Sequence, residues 1–137
     1  MLGQVDQPSV EVAVREGVVV AAVRGDVDVD NFRQVREALF TCLNRGGAAL
    51  VVDLDGVGFF GSMGIAVLVE ARQRADVLDT GFAVVAGRRA VVRPIRTADV
   101  EELLQVRRTL EEALAAARDR SQRRGDEADT PFSWWSS

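Results

Sequence analysis

Val10, Val12 and Val14 alternate with polar residues, and positions 18–23 run almost wholly apolar, with Arg15, Glu16 and Gly17 between. Alternation of period two followed by a covered apolar run predicts two strands joined by a tight turn. Phe32, Val35, Leu39 and Leu43 then recur at helical spacing, while Arg33, Arg36, Glu37 and Asn44 occupy other faces. An amphipathic helix is therefore expected over about 31–44, stopped by Arg45-Gly46-Gly47. Residues 48–54 are rich in Val and Leu, which suits a strand buried on both faces. Residues 56–61 read as a loop.

Ile65, Leu68, Ala71, Ala75 and Leu78 form the apolar stripe of a second helix, with Glu70, Arg72, Arg74 and Asp76 on its polar side. Residues 82–86 form the next buried strand, and 88–98 a short helix started or interrupted by Pro94. Residues 103–106 are expected to be a brief last strand. Thr109 and Glu112 have the spacing of a capping box, opening a final helix whose apolar face is Leu110, Ala113, Leu114 and Ala117. Beyond Asp119 apolar periodicity is lost. The expected organisation is one domain over 1–118 and a disordered tail over 119–137 that carries Phe132, Trp134 and Trp135. Strands alternating with helices predict an α/β fold: a mixed, largely parallel sheet of four to five strands, an amino-terminal hairpin and about four helices.

A length of 137 residues matches one domain, enough for a core but not for two. Seventeen basic residues, all Arg, against twenty-one acidic ones give a net charge of −4, which argues against a nucleic-acid partner. His is absent, so Ser-His-Asp and Cys-His nucleophiles, imidazole acid–base chemistry and His-ligated metals drop out together. Cys42 stands alone and reads as a packing residue in a reducing, cytoplasmic setting. Neither an export signal nor a run of eighteen apolar residues is visible, so no membrane association is expected.

Gly56-Val57-Gly58-Phe59-Phe60-Gly61 fits the glycine pattern of a dinucleotide loop letter for letter. The following strand ends in Gly87, without a ribose-binding acid, and Phe59 and Phe60 would crowd the phosphates, so a tight turn is the better reading. Asp26, Asp28, Asp30 and Glu37 match much of a calcium loop, yet Asn31 replaces the central glycine and a Val-rich strand precedes it. A polar strand-to-helix connection, with Asp30 as the N-cap, accounts for them better. Neither a metal nor any cofactor is expected. Ser62 follows a glycine at the mouth of the second helix, where it can act as an N-cap and where a phosphate on its oxygen would meet the positive end of the helix dipole.

Together these words resemble the STAS domain family, especially the bacterial anti-sigma-factor antagonists. Gly25-Asp26-Val27-Asp28 resembles the family's turn after the second strand, Leu50 through Val57 its central strand and exit, and Gly61-Ser62-Met63-Gly64-Ile65 its phosphorylation motif, with Gly61 where the family usually has Asp. The resemblance extends over about 10–117. It implies a non-enzymatic partner-switching regulator of transcription, as in stress responses. It would bind an anti-sigma factor with a histidine-kinase-like ATPase domain, release a sigma factor, and be switched off by phosphorylation of Ser62. Asp26, Asp28, Asp30, Asn31, Phe59, Phe60, Gly61, Ser62, Met63 and Gly64 would form the contact surface, with exposed faces of Phe59, Phe60 and Met63 as its apolar anchor. The chain would act as a monomer or weak homodimer. The alternative is a STAS scaffold that is never phosphorylated, in a sensory or transport-associated assembly.

Overall fold

A computed structural model describes residues 7–128. Strands β1 (Ser9–Arg15) and β2 (Val18–Val27) form the expected hairpin, with Glu16 and Gly17 both at positive φ in the turn. A two-residue turn of that hand matches the twist of the strands it joins. The chain continues through α1 (Phe32–Asn44), β3 (Ala49–Phe60), α2 (Ser62–Val77) and β4 (Gly81–Val85), then α3 (Arg89–Thr97), α4 (Glu101–Leu104), β5 (Val106–Arg107) and α5 (Leu110–Ala128). The sheet has the order β1-β2-β3-β4-β5; only the first pair is antiparallel.

Two apolar layers sandwich this sheet. On one face Val35, Leu39 and Leu43 of α1, Leu68, Ala71 and Ala75 of α2, and Val91 and Ile95 of α3 pack on Val23, Leu50, Val52 and Phe82. On the other, Ala113, Leu114 and Ala117 of α5 cover Val18, Val20, Val51 and Val85. β4 and the first half of β3, residues 49–54, are covered from both sides, which explains their near-continuous apolar sequence. Because β2, β3 and β4 run parallel, the loops leaving their carboxyl ends gather at one edge of the sheet.

Several expectations are corrected. Residues 56–61 are no loop: β3 continues through Phe60, paired with β2 across two register shifts, because Val57 and Phe60 find buried positions there. The expected strand over 103–106 is split. Glu101–Leu104 is a helical turn, Gln105 turns the chain at φ 53°, and only Val106–Arg107 pair with β4. The Gln105 side-chain amide is buried and donates to the carbonyls of Phe82 and Ala116, 3.1 and 3.3 Å away. Arg72 leaves the polar side of α2 and is buried, 5% exposed, where its guanidinium meets Asp76 at 3.0 Å and the carbonyl of Leu103. Among the described residues there are five helices.

Thr109 caps α5 as its spacing predicted, its hydroxyl accepting the Glu112 N–H at 3.2 Å. The helix passes Arg118, which pairs with Glu16 of the hairpin turn, and continues to Ala128, so 119–128 is helical where a disordered tail was expected. Phe132, Trp134 and Trp135 lie outside the described residues. Among the described residues no helix is long and apolar enough to cross a membrane.

Candidate functional site

Two connections meet at the carboxyl edge of the sheet. The first, between β2 and α1, is built around Asn31. Its side-chain oxygen accepts the Asp28 N–H at 2.9 Å and its amide donates to the Asp26 carbonyl at 2.9 Å. The Asp28 carboxylate accepts the N–H groups of Asp30 and Asn31 at 2.9 and 3.2 Å. Such side-chain-to-backbone bonds fix a short loop in one conformation. Asn31, rather than Asp30, occupies the N-cap position of α1, and it gives no side-chain cap because its side-chain oxygen accepts the Asp28 N–H inside the loop. The loop thus presents Asp26, Val29 and Asp30 to solvent on a buried Asn31 pivot.

The second connection, from β3 to α2, is tied to the first. Asp26 pairs with Phe59 and Val27 with Phe60, and the Gly61 N–H donates to the Val27 carbonyl at 3.1 Å. The two phenylalanines face opposite ways. Phe59 is 52% exposed, whereas Phe60 is 3% exposed, so of the expected aromatic anchors only Phe59 reaches solvent, and Met63 is half-buried. Phe60 instead fixes the start of α2: its ring lies where a Cβ on Gly64 would stand, 2.7 Å from that position. Gly64 is buried accordingly and serves packing.

Ser62 is exposed and is the first residue of α2, not its cap. Gly61 takes the cap position in an extended conformation, and no side chain caps the helix. The Ser62 hydroxyl therefore stands at the positive end of the dipole and makes no capping bond to α2, three residues after the exposed Phe59. A Cβ at position 61 would lie 3.3 Å from the Phe59 ring, a tight contact that this half-exposed ring can relieve by a small shift. The glycines at 56 and 58 do not form a phosphate cradle. They lie in β3, where added Cβ atoms would meet the Arg24 side chain at 2.8 Å and an Asp26 carboxylate oxygen at 3.0 Å.

Of the ten expected contact residues, the structure gathers all at one edge but buries Asn31, Phe60 and Gly64. Those three shape the surface instead of facing outward. Val29, 68% exposed between two acids, is a surface residue the sequence reading passed over; its break with the buried Val27 two positions earlier was the available signal. Arg89 and Arg93 were passed over too. They line a groove with Ser62 between α2 and α3.

A five-stranded sheet with four helices on one face and one on the other, and loops converging beside a helix-initial serine, is a STAS architecture. The chain belongs to the STAS domain family, whose model matches residues 9–113. It is 30% identical over 113 residues to the anti-sigma-F factor antagonist RsfB of Mycobacterium tuberculosis, covering 82% of this chain and 92% of that protein. The crystal structure of an anti-sigma factor antagonist from Mycobacterium paratuberculosis is similar with a TM-score of 0.78 and 32% identity, over 83% of this chain and 97% of the other. An anti-sigma-factor antagonist (STAS) domain protein from Planctomyces limnophilus shares the fold at a TM-score of 0.68 and 23% identity, over 79% and 97% of the two chains.

Proposed function

We propose that this protein is an anti-sigma factor antagonist that binds through the β2–α1 and β3–α2 connections and is switched by phosphorylation of Ser62. The proposed partner is an anti-sigma factor with a histidine-kinase-like ATPase domain. The observation that carries the reading is Ser62 itself, an exposed hydroxyl at the start of α2 beside the exposed Phe59 ring. Similarity to RsfB over nearly its whole length supports the antagonist role.

Phenylalanine at the centre of a small contact surface is a fitting anchor, and Asp26 and Asp30 around it favour a partner that is basic at its rim. In the switching step the Ser62 Oγ attacks the γ-phosphorus of ATP. The Oγ–P bond forms, the bond from that phosphorus to the β–γ bridging oxygen breaks, and ADP and the hydroxyl proton leave. The product adds a charge of about −1.5 to −2 where the partner docks beside the Phe59 ring, and the cost of desolvating that charge in the packed contact turns into lost affinity.

Capture from the native cell extract with wild type, Ser62→Ala and Ser62→Asp as baits tests this. An ATPase-domain anti-sigma factor is expected with wild type and Ser62→Ala and not with Ser62→Asp, and mass spectrometry should find phosphate on Ser62. Equal capture by all three, with Ser62 always unmodified, would make the constitutive scaffold the correct account; Gly61 in the place of the family's Asp is the feature that favours it.

A further inference from the structure

Ser62 and Arg89 are the first helical residues of α2 and α3, and both line one open groove of about 810 Å³ between those helices. Ile65, Ala90 and Pro94 supply apolar walls, and Arg93 stands one turn along α3 from Arg89. No carboxylate lines the groove. Neither helix has an acid in its first turn or a side-chain cap, so two positive helix ends flank it uncompensated. An arginine at the first position of a helix is placed against the dipole and gains from a nearby anion.

Arg89 and Arg93 have no ion-pair partner among the described residues. They also border a second cleft, of about 660 Å³, on the far side of α3, with Arg96, Arg107 and Arg108. Its one acid, Glu101, already pairs with Arg96 at 3.0 Å. On a chain with a net charge of −4, positive charge is therefore concentrated on α3, facing the serine across the groove.

We propose that a phosphate on Ser62 is held in cis by Arg89 and Arg93, so that modification bridges α2 to α3 and fills the groove. The proposal rests on Ser62 as the phosphoacceptor and adds where its phosphate goes. Guanidinium groups donate in a planar fork that suits phosphate oxygens, and each favours the dianion over the monoanion. The unmodified protein offers an open groove with a cationic rim; the modified one offers a neutralised bridge. Phosphorylation thereby alters the α3 surface as well as the serine's own position.

The test installs phosphoserine at position 62 of the full chain during translation, so no kinase is needed, and follows its second ionisation by phosphorus NMR. That ionisation lies near pH 6 for an unperturbed phosphoserine. It is expected about one pH unit lower, a tenfold change, in the otherwise wild-type protein than in the same phosphoprotein carrying Arg89→Ala and Arg93→Ala. Arg89→Lys with Arg93→Lys should retain most of the shift. Coincident titrations, or a lowered value that survives the double alanine change, would overturn the clamp. Both arginines are exposed, so the unmodified double variant should melt with wild type; if it does not, Arg93→Gln alone serves as the control. Failure of the clamp leaves the capture result untouched, and failure of capture leaves the titration readable.

Discussion

Gly64→Ala puts the coupling between the β3 end and α2 to a quantitative test. In a bare helix the change is favourable, since alanine exceeds glycine by up to about 1 kcal/mol, less in a first turn. Here the new Cβ would lie 2.7, 2.8 and 3.0 Å from three atoms of the Phe60 ring. Ordinary contact begins near 3.4 Å, so ring or helix must yield by over half an ångström. The ring cannot swing into water without giving up a position that is 3% exposed. Overpacking of this kind costs about 1 to 3 kcal/mol, which outweighs the propensity gain. A net loss of about 1 kcal/mol or more is expected, and each kcal/mol lowers the melting temperature of a domain this size by roughly 3–5 °C. Urea or thermal unfolding monitored by circular dichroism measures it. Phe60→Leu in the same chain removes the offending ring edge, so the pair should be non-additive by about 1 kcal/mol. A stabilised Gly64→Ala variant, or strict additivity with Phe60→Leu, would refute the reasoning.

Three further outcomes are expected. Phe59→Ala, at a half-exposed ring, should lower affinity for the captured anti-sigma factor at least tenfold in a titration while leaving the melting temperature within about 2 °C of wild type. Asn31→Ala removes the bonds to Asp26 and Asp28 from a buried position and should cost about 1–3 kcal/mol in urea unfolding; an unchanged midpoint would mean the loop is not held by that side chain. The Arg36 guanidinium holds Glu70 below the usual carboxylate range through two 2.9 Å hydrogen bonds between α1 and α2. A depressed folded-state value gives stability above the ordinary carboxylate range that is lost as pH falls through the folded value. Glu70→Gln should therefore be slightly less stable than wild type at pH 7 and indistinguishable from it at pH 2–3, in thermal melts at both; a gap that widens in acid would contradict this.

Elements with a single apolar period were legible in the sequence: the hairpin, α1, the buried β3 and β4, and the Thr109-capped α5. The errors fall where tertiary contacts decide. Leu103 and Leu104 look like strand residues, but burial of the Gln105 amide against two carbonyls selects a helical turn through them and a short strand after. Arg72 looks like a solvated position until the Leu103 carbonyl and Asp76 are brought to it. At the site, the glycines of 56–61 suggested a loop, whereas pairing with β2 continues the strand and sends Phe59 outward and Phe60 inward. The place of Ser62 at the mouth of α2 was legible because it follows a glycine and precedes an apolar helical stripe. The groove to Arg89 and Arg93 was not, since it depends on how α3 packs beside α2, some thirty residues later in the chain.

The central claim is that the surface around Ser62 binds an anti-sigma factor and that phosphate there ends the binding. Isothermal titration of the captured anti-sigma factor with the unmodified protein and with the protein carrying phosphoserine at 62 measures this directly. The account predicts saturable binding by the unmodified form and at least a tenfold weaker association for the phosphorylated one. Equal affinities for the two forms would contradict it.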